Sequence, residues 1–298
     1  MSQNRREFLK TIAAIGASTA AISSVTPKKT IAKTEPFLSE DRKGVLVDTT
    51  VCIGCRKCEW ACKGAHGFEQ GDFENYQNDE ILNVQRRPST NNLTVVNKYI
   101  DEGTRTVKMQ CMHCEHPACV SACIVGAISK KENGSVVWDT DMCIGCRYCM
   151  VACPFQIPAF EYYKALDPKI VKCDFCIERT SEGKLPACVN ICPVEALTYG
   201  TRNELIDEAK RRIKNHPDKY FDHVFGEYEV GGTSWLYLAD KNLAGNVFPK
   251  LGNNTAPGVS ESIQHGIFAY FVPPIAVYAL LGGIMWLTKE KETKKENK

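Results

Sequence analysis

Four stretches of this 298-residue chain show ordered patterns of apolar and polar positions, and each predicts a different element. Between Gly67 and Met109 lie alternating runs such as Thr94-Val95-Val96-Asn97-Lys98-Tyr99, whose two-residue period is that of a pleated strand. Short strands or a hairpin are expected there, serving either as a docking surface for a partner or as a plain surface insertion. From Asn203 to Lys214 the period lengthens, with Leu205, Ile206, Ala209 and Ile213 at helical spacing and Thr201 ahead of them as a cap. That face reads as core packing rather than a binding site. The other two stretches are uncharged, one weakly and one strongly apolar, and lie near the ends of the chain.

Thr11 to Val25 is a mild, alanine-rich run ahead of Pro27, and it follows Asn4-Arg5-Arg6-Glu7-Phe8-Leu9-Lys10. Paired arginines before a weakly apolar stretch resemble a twin-arginine export signal, the alternative being a basic amphipathic helix. Thr30-Ile31-Ala32 is a tolerable small-residue end, so residues 1–32 are read as the signal. This route passes folded proteins, which suits a chain whose cofactor is inserted before export. At the other end, Ile267 to Leu287 is 21 residues without a charge. At about 1.5 Å per residue such a helix crosses about 30 Å of hydrocarbon; a buried core helix is the alternative. Pro273-Pro274 predicts a kink and a neighbouring helix that satisfies the freed carbonyls. Five lysines between Lys289 and Lys298 place that tail on the cytoplasmic side and the bulk of the chain outside.

Composition narrows the class of partner. Lys and Arg number 37 against 35 Asp and Glu, a net charge of +2. Arg5, Arg6, Lys10, Lys28 and Lys29 face only Glu7 within residues 1–32, so the remainder is slightly acidic. No basic stripe is available to neutralise a phosphate backbone, and nucleic acid is not expected as a partner. With 44% hydrophobic residues the chain can bury one compact domain with an internal duplication. No Ser/His/Asp set, phosphate loop or flavin fingerprint is present, so no catalytic residue is assigned.

The chemistry lies in sixteen cysteines that fall into four tight groups. Cys52, Cys55, Cys58 and Cys62 follow the spacing C-x2-C-x2-C-x3-C, as do Cys143, Cys146, Cys149 and Cys153 with Pro154 behind them. Both fit the bacterial ferredoxin run. Cys111, Cys114, Cys119 and Cys123 are spaced x2, x4, x3, and Cys173, Cys176, Cys188 and Cys192, followed by Pro193, are spaced x2, x11, x3. These are loop-expanded versions of the same motif. Three thiolates on one tight loop reach three iron corners of a 4Fe-4S cluster; the fourth, expected at a helix start, points to another cluster. Gly54 and Gly145 let the loops bend tightly, and backbone amides there can point at cluster sulfurs. Four cysteines per cluster make four 4Fe-4S clusters with none left over. Zinc is the competing reading, since CxxC pairs also build zinc sites, and disulfides are a second one for an exported chain. Neither needs the repeated ferredoxin run. His113 and His116 sit among complete ligand sets and read as supporting or structural, and His265 precedes the apolar run, where a surface histidine is the plainer reading.

With these groups in hand the chain resembles the four-cluster iron-sulfur subunits of membrane-bound respiratory oxidoreductases, from about Val45 to Leu238. Within that family it is most similar to the HybA-type subunits of periplasmic nickel-iron hydrogenases, with relatives in formate dehydrogenase and dimethyl sulfoxide reductase. The resemblance rests on Gln110-Cys111-Met112-His113-Cys114, on Gly145 through Pro154, and on Gly231-Gly232-Thr233-Ser234-Trp235-Leu236-Tyr237-Leu238. Proline is absent after Cys62 and Cys123, where Lys63 and Ile124 stand; this departure reads as altered turn geometry.

The resemblance implies a ligand pairing in which the first group exchanges its fourth cysteine with the fourth group, and the second with the third. One cluster would take Cys52, Cys55, Cys58 and Cys192; its partner Cys173, Cys176, Cys188 and Cys62. A third would take Cys111, Cys114, Cys119 and Cys153, and a fourth Cys143, Cys146, Cys149 and Cys123. The expected fold is α+β, duplicated ferredoxin-like modules with inserted loops plus one C-terminal transmembrane helix. Its expected layout is a signal at 1–32, a four-cluster domain at 33–262, a membrane helix at 263–288 and a cytoplasmic tail at 289–298. The resemblance further implies a non-catalytic electron relay between a catalytic subunit, nickel-iron hydrogenase first and a molybdenum or tungsten enzyme second, and a quinone-reactive integral membrane subunit. A zinc-binding scaffold of a membrane complex is the rival from another class.

Overall fold

The computed structural model describes residues 42–100, 104–241, 247–258, 274 and 277–285. All of them belong to one compact unit, Phe37–Lys298. The export signal, His265 and most of the apolar run at 267–287 lie outside the described residues. Residues 277–285 are helical, and among the described residues no helix is long and apolar enough to cross a membrane.

In chain order the elements are β1 (Lys43–Asp48), α1 (Lys57–Ala65), β2 (Thr94–Ile100), β3 (Thr104–Gln110), α2 (Ala118–Ser121), β4 (Ile128–Lys130), β5 (Val136–Trp138) and α3 (Tyr148–Ala152). There follow β6 (Ala159–Phe160), β7 (Ile170–Val171), α4 (Ile177–Ser181), α5 (Ala187–Asn190), β8 (Leu197–Thr201), α6 (Arg202–Asn215), β9 (Tyr220–Phe225) and β10 (Trp235–Asp240). This mixed content agrees with the α+β expectation.

One four-stranded sheet, in the order β8-β1-β10-β9, joins the two ends of the domain. Strand β1 runs parallel to β10 and antiparallel to β8, so residues far apart in sequence are locked together at Val45↔Trp235 and Leu46↔Leu236. Because side chains alternate across a strand, the sheet has two cores. Leu46, Leu236 and Leu238 face α6, which presents Leu205, Ile206, Ala209 and Ile213 as its spacing predicts. Val45, Val47, Trp235 and Tyr237 point the other way, toward Val107, Phe175 and Cys188. The sheet is thus a wall with its back to a helix and its front to the cysteines. Leu236 is fully buried. Leu236→Ala is expected to cost about 2–5 kcal/mol, lowering the melting temperature by roughly 2–4 °C per kcal/mol in a calorimetric scan.

Two details differ from expectation. Thr201 precedes α6, but its side chain accepts no amide; instead its hydroxyl and backbone N–H both reach the Glu204 carboxylate, the second half of a capping box. The inserted segment does form a hairpin, with β2 and β3 paired from Thr94↔Gln110 to Ile100↔Thr104. It is not a surface appendage. Val95, Val96, Val107, Lys108 and Gln110 are buried, and of the paired residues the exposed ones, Ile100 and Thr104, lie at the tip.

Candidate metal centres

Each cysteine group is built by the same local device. Its third cysteine, Cys58, Cys119, Cys149 or Cys188, is the second residue of a short helix: α1, α2, α3 or α5. The fourth follows four residues later: Cys62 within α1, one turn and about 6 Å along the axis, and Cys123, Cys153 and Cys192 just past the ends of their shorter helices. This corrects the expectation that the fourth cysteine starts the helix; the third does, and the turn carries the fourth away from its own loop. Entry into α1 and α3 uses a left-handed backbone at Arg56 (φ 59°) and Arg147 (φ 63°). Gly54 has φ +72°, and a Cβ there would stand 2.7 Å from Thr106 Cγ2, so both the bend and the close approach require glycine. Without proline after Cys62, α1 runs on to Ala65, whereas Pro154 stands two residues past the end of α3 at Ala152.

The tertiary fold then mixes the groups. Cys52, Cys55 and Cys58 line one cavity with Cys192, walled by Val47, Val96, Lys108 and Leu197. Cys143, Cys146 and Cys149 line another with Cys123, walled by Ile128, Trp138 and Ile170. Cys62 lies within electrostatic reach of Cys173, Cys176 and Cys188, and Cys153 within reach of Cys111, Cys114 and Cys119. The four sets adjoin in a row, since Cys58 feels Cys188, Cys173 feels Cys111, and Cys119 feels Cys149. Cys146, at one end, is exposed.

The donor chemistry fits iron-sulfur clusters. Burial first, and neighbouring thiols second, push Cys176 up to about 12 and Cys149 up to about 11. Left to themselves these groups stay neutral thiols; cationic iron turns them into ligating thiolates. His113 is fully buried, and its Nδ1 accepts the Val136 N–H at 2.8 Å, which leaves the proton on Nε2. Burial and the charge of Lys172 lower its pKa, so the ring is neutral and its Nε2–H finds no partner among the described residues. Such an orphan donor between Cys111 and Cys114 suits a sulfide acceptor. His116 is half-buried beside Gly231.

Several neighbours of the cysteines carry no motif. Thr106 Oγ1 lies 3.1 Å from Cys52 O and 3.3 Å from Cys52 Sγ. His66 Nε2 is 2.9 Å from Asp174 Oδ1, and its Nδ1 is 2.7 Å from Cys62 O. Burial works to lower its pKa, but Asp174 and Cys62 raise it to about 11, so the ring is a cation beside the Cys62 set. The one signal for His66 is its place one helical turn after Cys62. Glu59 is buried between Arg56 and Arg86, and Lys108, Lys130 and Lys172 are shielded or partly shielded lysines near the thiols.

Comparison with known proteins bears on what these sets hold. Residues 104–202 match the 4Fe-4S dicluster domain family. Over 93% of its length the chain is 36% identical to the hydrogenase-2 operon protein HybA of Escherichia coli O157:H7, and it covers 93% of that protein. The chain belongs to the HybA-type iron-sulfur proteins. It is also 43% identical, over 97% of its length, to a protein of Nitratidesulfovibrio vulgaris, of which it covers 78%. The iron-sulfur subunit of the nitrate-inducible formate dehydrogenase of Escherichia coli (strain K12) is 33% identical over 73% of each chain. As a HybA-type protein with sixteen cysteines, the chain carries multiple 4Fe-4S clusters.

Proposed function

We propose that this chain relays electrons through four 4Fe-4S clusters between the catalytic subunit of an oxidoreductase, a nickel-iron hydrogenase, and a quinone-reactive integral membrane subunit. The observation that carries this reading is the convergence of sixteen cysteines into four adjoining sets of four. The ligand sets are Cys52, Cys55, Cys58 and Cys192; Cys62, Cys173, Cys176 and Cys188; Cys111, Cys114, Cys119 and Cys153; and Cys123, Cys143, Cys146 and Cys149. When bound, each cluster supplies a one-electron couple. The protein holds the sets in a row and keeps water out of the inner ones with Leu93, Val107, Phe175 and Ile157. At the ends of the row the protein thins: Ile53 is exposed beside Cys52, and Ile144 is exposed beside the exposed Cys146. These two places suit contact with the two partner subunits.

The hydrogenase partner is supported by similarity to the hydrogenase-2 operon protein over 93% of both chains. Residues 1–32 act as the twin-arginine signal, 33–262 as the cluster domain, 263–288 as a membrane helix and 289–298 as its cytoplasmic tail, which places the clusters on the periplasmic face. Support for the anchor comes from the uncharged run Ile267 to Leu287 and from the exposed Val277, Tyr278, Leu280 and Leu281 on its helical part.

The complex, solubilised and purified under strict anaerobiosis, should hold about sixteen irons and sixteen labile sulfides assignable to this subunit, together with a nickel-containing hydrogenase. Zinc with little iron would overturn the relay. Full iron beside a molybdenum enzyme would keep the relay and replace its catalyst, the outcome that the formate dehydrogenase likeness favours.

A further inference from the structure

Lys108 is 3% exposed, and no carboxylate pairs with it among the described residues. Lysines are almost never buried to this depth without a partner, because an uncompensated charge loses its hydration. The alternation of β3 puts Thr106, Lys108 and Gln110 on one face, turned toward the cysteines. Lys108 Nζ donates to Gln110 Oε1 at 2.9 Å and stands 4.3 Å from the centre of the Trp235 ring. Neither neighbour carries a charge. The nearest buried carboxylate on α1, Glu59, is committed to Arg56 and Arg86. Lys130 makes the contrast, since Glu115 lies 3.2 Å from its Nζ.

The surroundings of Lys108 are thiols. It lines the cavity of Cys52, Cys55, Cys58 and Cys192, and its charge is felt by Cys58 on one side and by Cys173 and Cys188 on the other. Burial works against its charge, whereas thiolates at Cys188, Cys58 and Cys173 would favour it. A 4Fe-4S cluster with four thiolates is an anion in both of its common oxidation states, and two such anions would flank this cation.

We infer that Lys108 is the shared counter-ion of the clusters held by the Cys52 and Cys62 sets and raises the reduction potentials of both. The inference rests on the relay reading, because it needs those sets to hold clusters. Reduction adds one electron to a cluster, delivered by its neighbour in the row, and releases no proton from Lys108. A fixed positive charge at that place favours the more negative, reduced form. Lys108 is therefore a positioning residue for charge: it tunes the first two clusters of the row and leaves the other two alone.

The test is a mediated redox titration of the purified complex, followed by electron paramagnetic resonance and with iron and sulfide assayed on the same samples. In Lys108→Met, two of the four clusters are expected to shift down, the reduced-to-oxidised ratio at the native midpoint falling at least tenfold, or about 59 mV for a one-electron couple. The clusters of the Cys111 and Cys143 sets should keep their midpoints, and Lys108→Arg should keep all four. Full iron with four unchanged midpoints in Lys108→Met overturns the inference. Should that variant assemble incompletely, Lys108→Gln and Lys108→Arg decide: cluster loss in the first with full iron in the second supports the need for charge, whereas loss in both assigns the side chain to packing and overturns it. Missing iron in the unmodified protein would instead overturn the relay reading itself.

Discussion

Cys62→Ala is expected to abolish the same cluster as Cys173→Ala and to leave intact the cluster lost in Cys55→Ala. Cys62 is the sequence neighbour of Cys52, Cys55 and Cys58, but α1 carries it one turn away, to Cys173, Cys176 and Cys188. In the proposed relay that cluster is the second in the row, with no path around it. Iron should fall by about four per chain, and quinone reduction by the whole complex should drop by orders of magnitude. Reduction of an artificial dye directly by the catalytic subunit should persist. If Cys62→Ala and Cys55→Ala remove the same paramagnetic signal, the assignment of ligands between groups is wrong.

Glu59→Ala should destabilise the cluster domain by an amount comparable to the Leu236→Ala truncation. The carboxylate is 2% exposed and accepts from Arg56 at 3.0 Å, from Arg86 at 2.6 and 3.1 Å, and from the Val96 N–H at 2.6 Å. It ties α1, which carries Cys58 and Cys62, to the hairpin that carries Thr106 and Lys108. Its removal leaves buried guanidinium groups without an anion, at a cost of about 3–5 kcal/mol. Burial works to raise the pKa of Glu59, but Arg86, Arg56 and the Val96 amide outweigh it and hold the carboxyl below the usual range. A depressed folded pKa means that the stabilisation is complete above the unfolded value of about 4.3 and is lost as pH falls through the lower, folded value. Melting curves of the two proteins should therefore be far apart at pH 7 and converge in acid. A constant gap across that range would show that the ionised carboxylate is not the source.

Much of the site is legible in the order of residues alone. The ferredoxin spacing points to cubane ligands, Gly54 and Gly145 to tight bends, and the spacing of Leu205, Ile206, Ala209 and Ile213 to the helix that backs the sheet; each is a short-range property. The pairing of groups comes from the family resemblance, and the structure brings those same cysteines together. The hairpin is visible as strands, yet its burial is not, because alternation tells which residues share a face and not what covers that face. His66 and Thr106 escape sequence reasoning for a similar reason: a lone histidine or threonine carries no motif until a cysteine from another element lies beside it.

By itself the sequence determined the cofactor class and the local loop shape, since ligands two residues apart meet one cluster whatever the rest of the chain does. Only the tertiary structure decided the order of the four sets, the seat of Lys108 between two of them and the closure of the domain by pairing β1 with β10. Those outcomes depend on contacts between distant segments. Such contacts arise from how the apolar faces of the sheet, the hairpin and α6 bury one another, and no local pattern of residues encodes them.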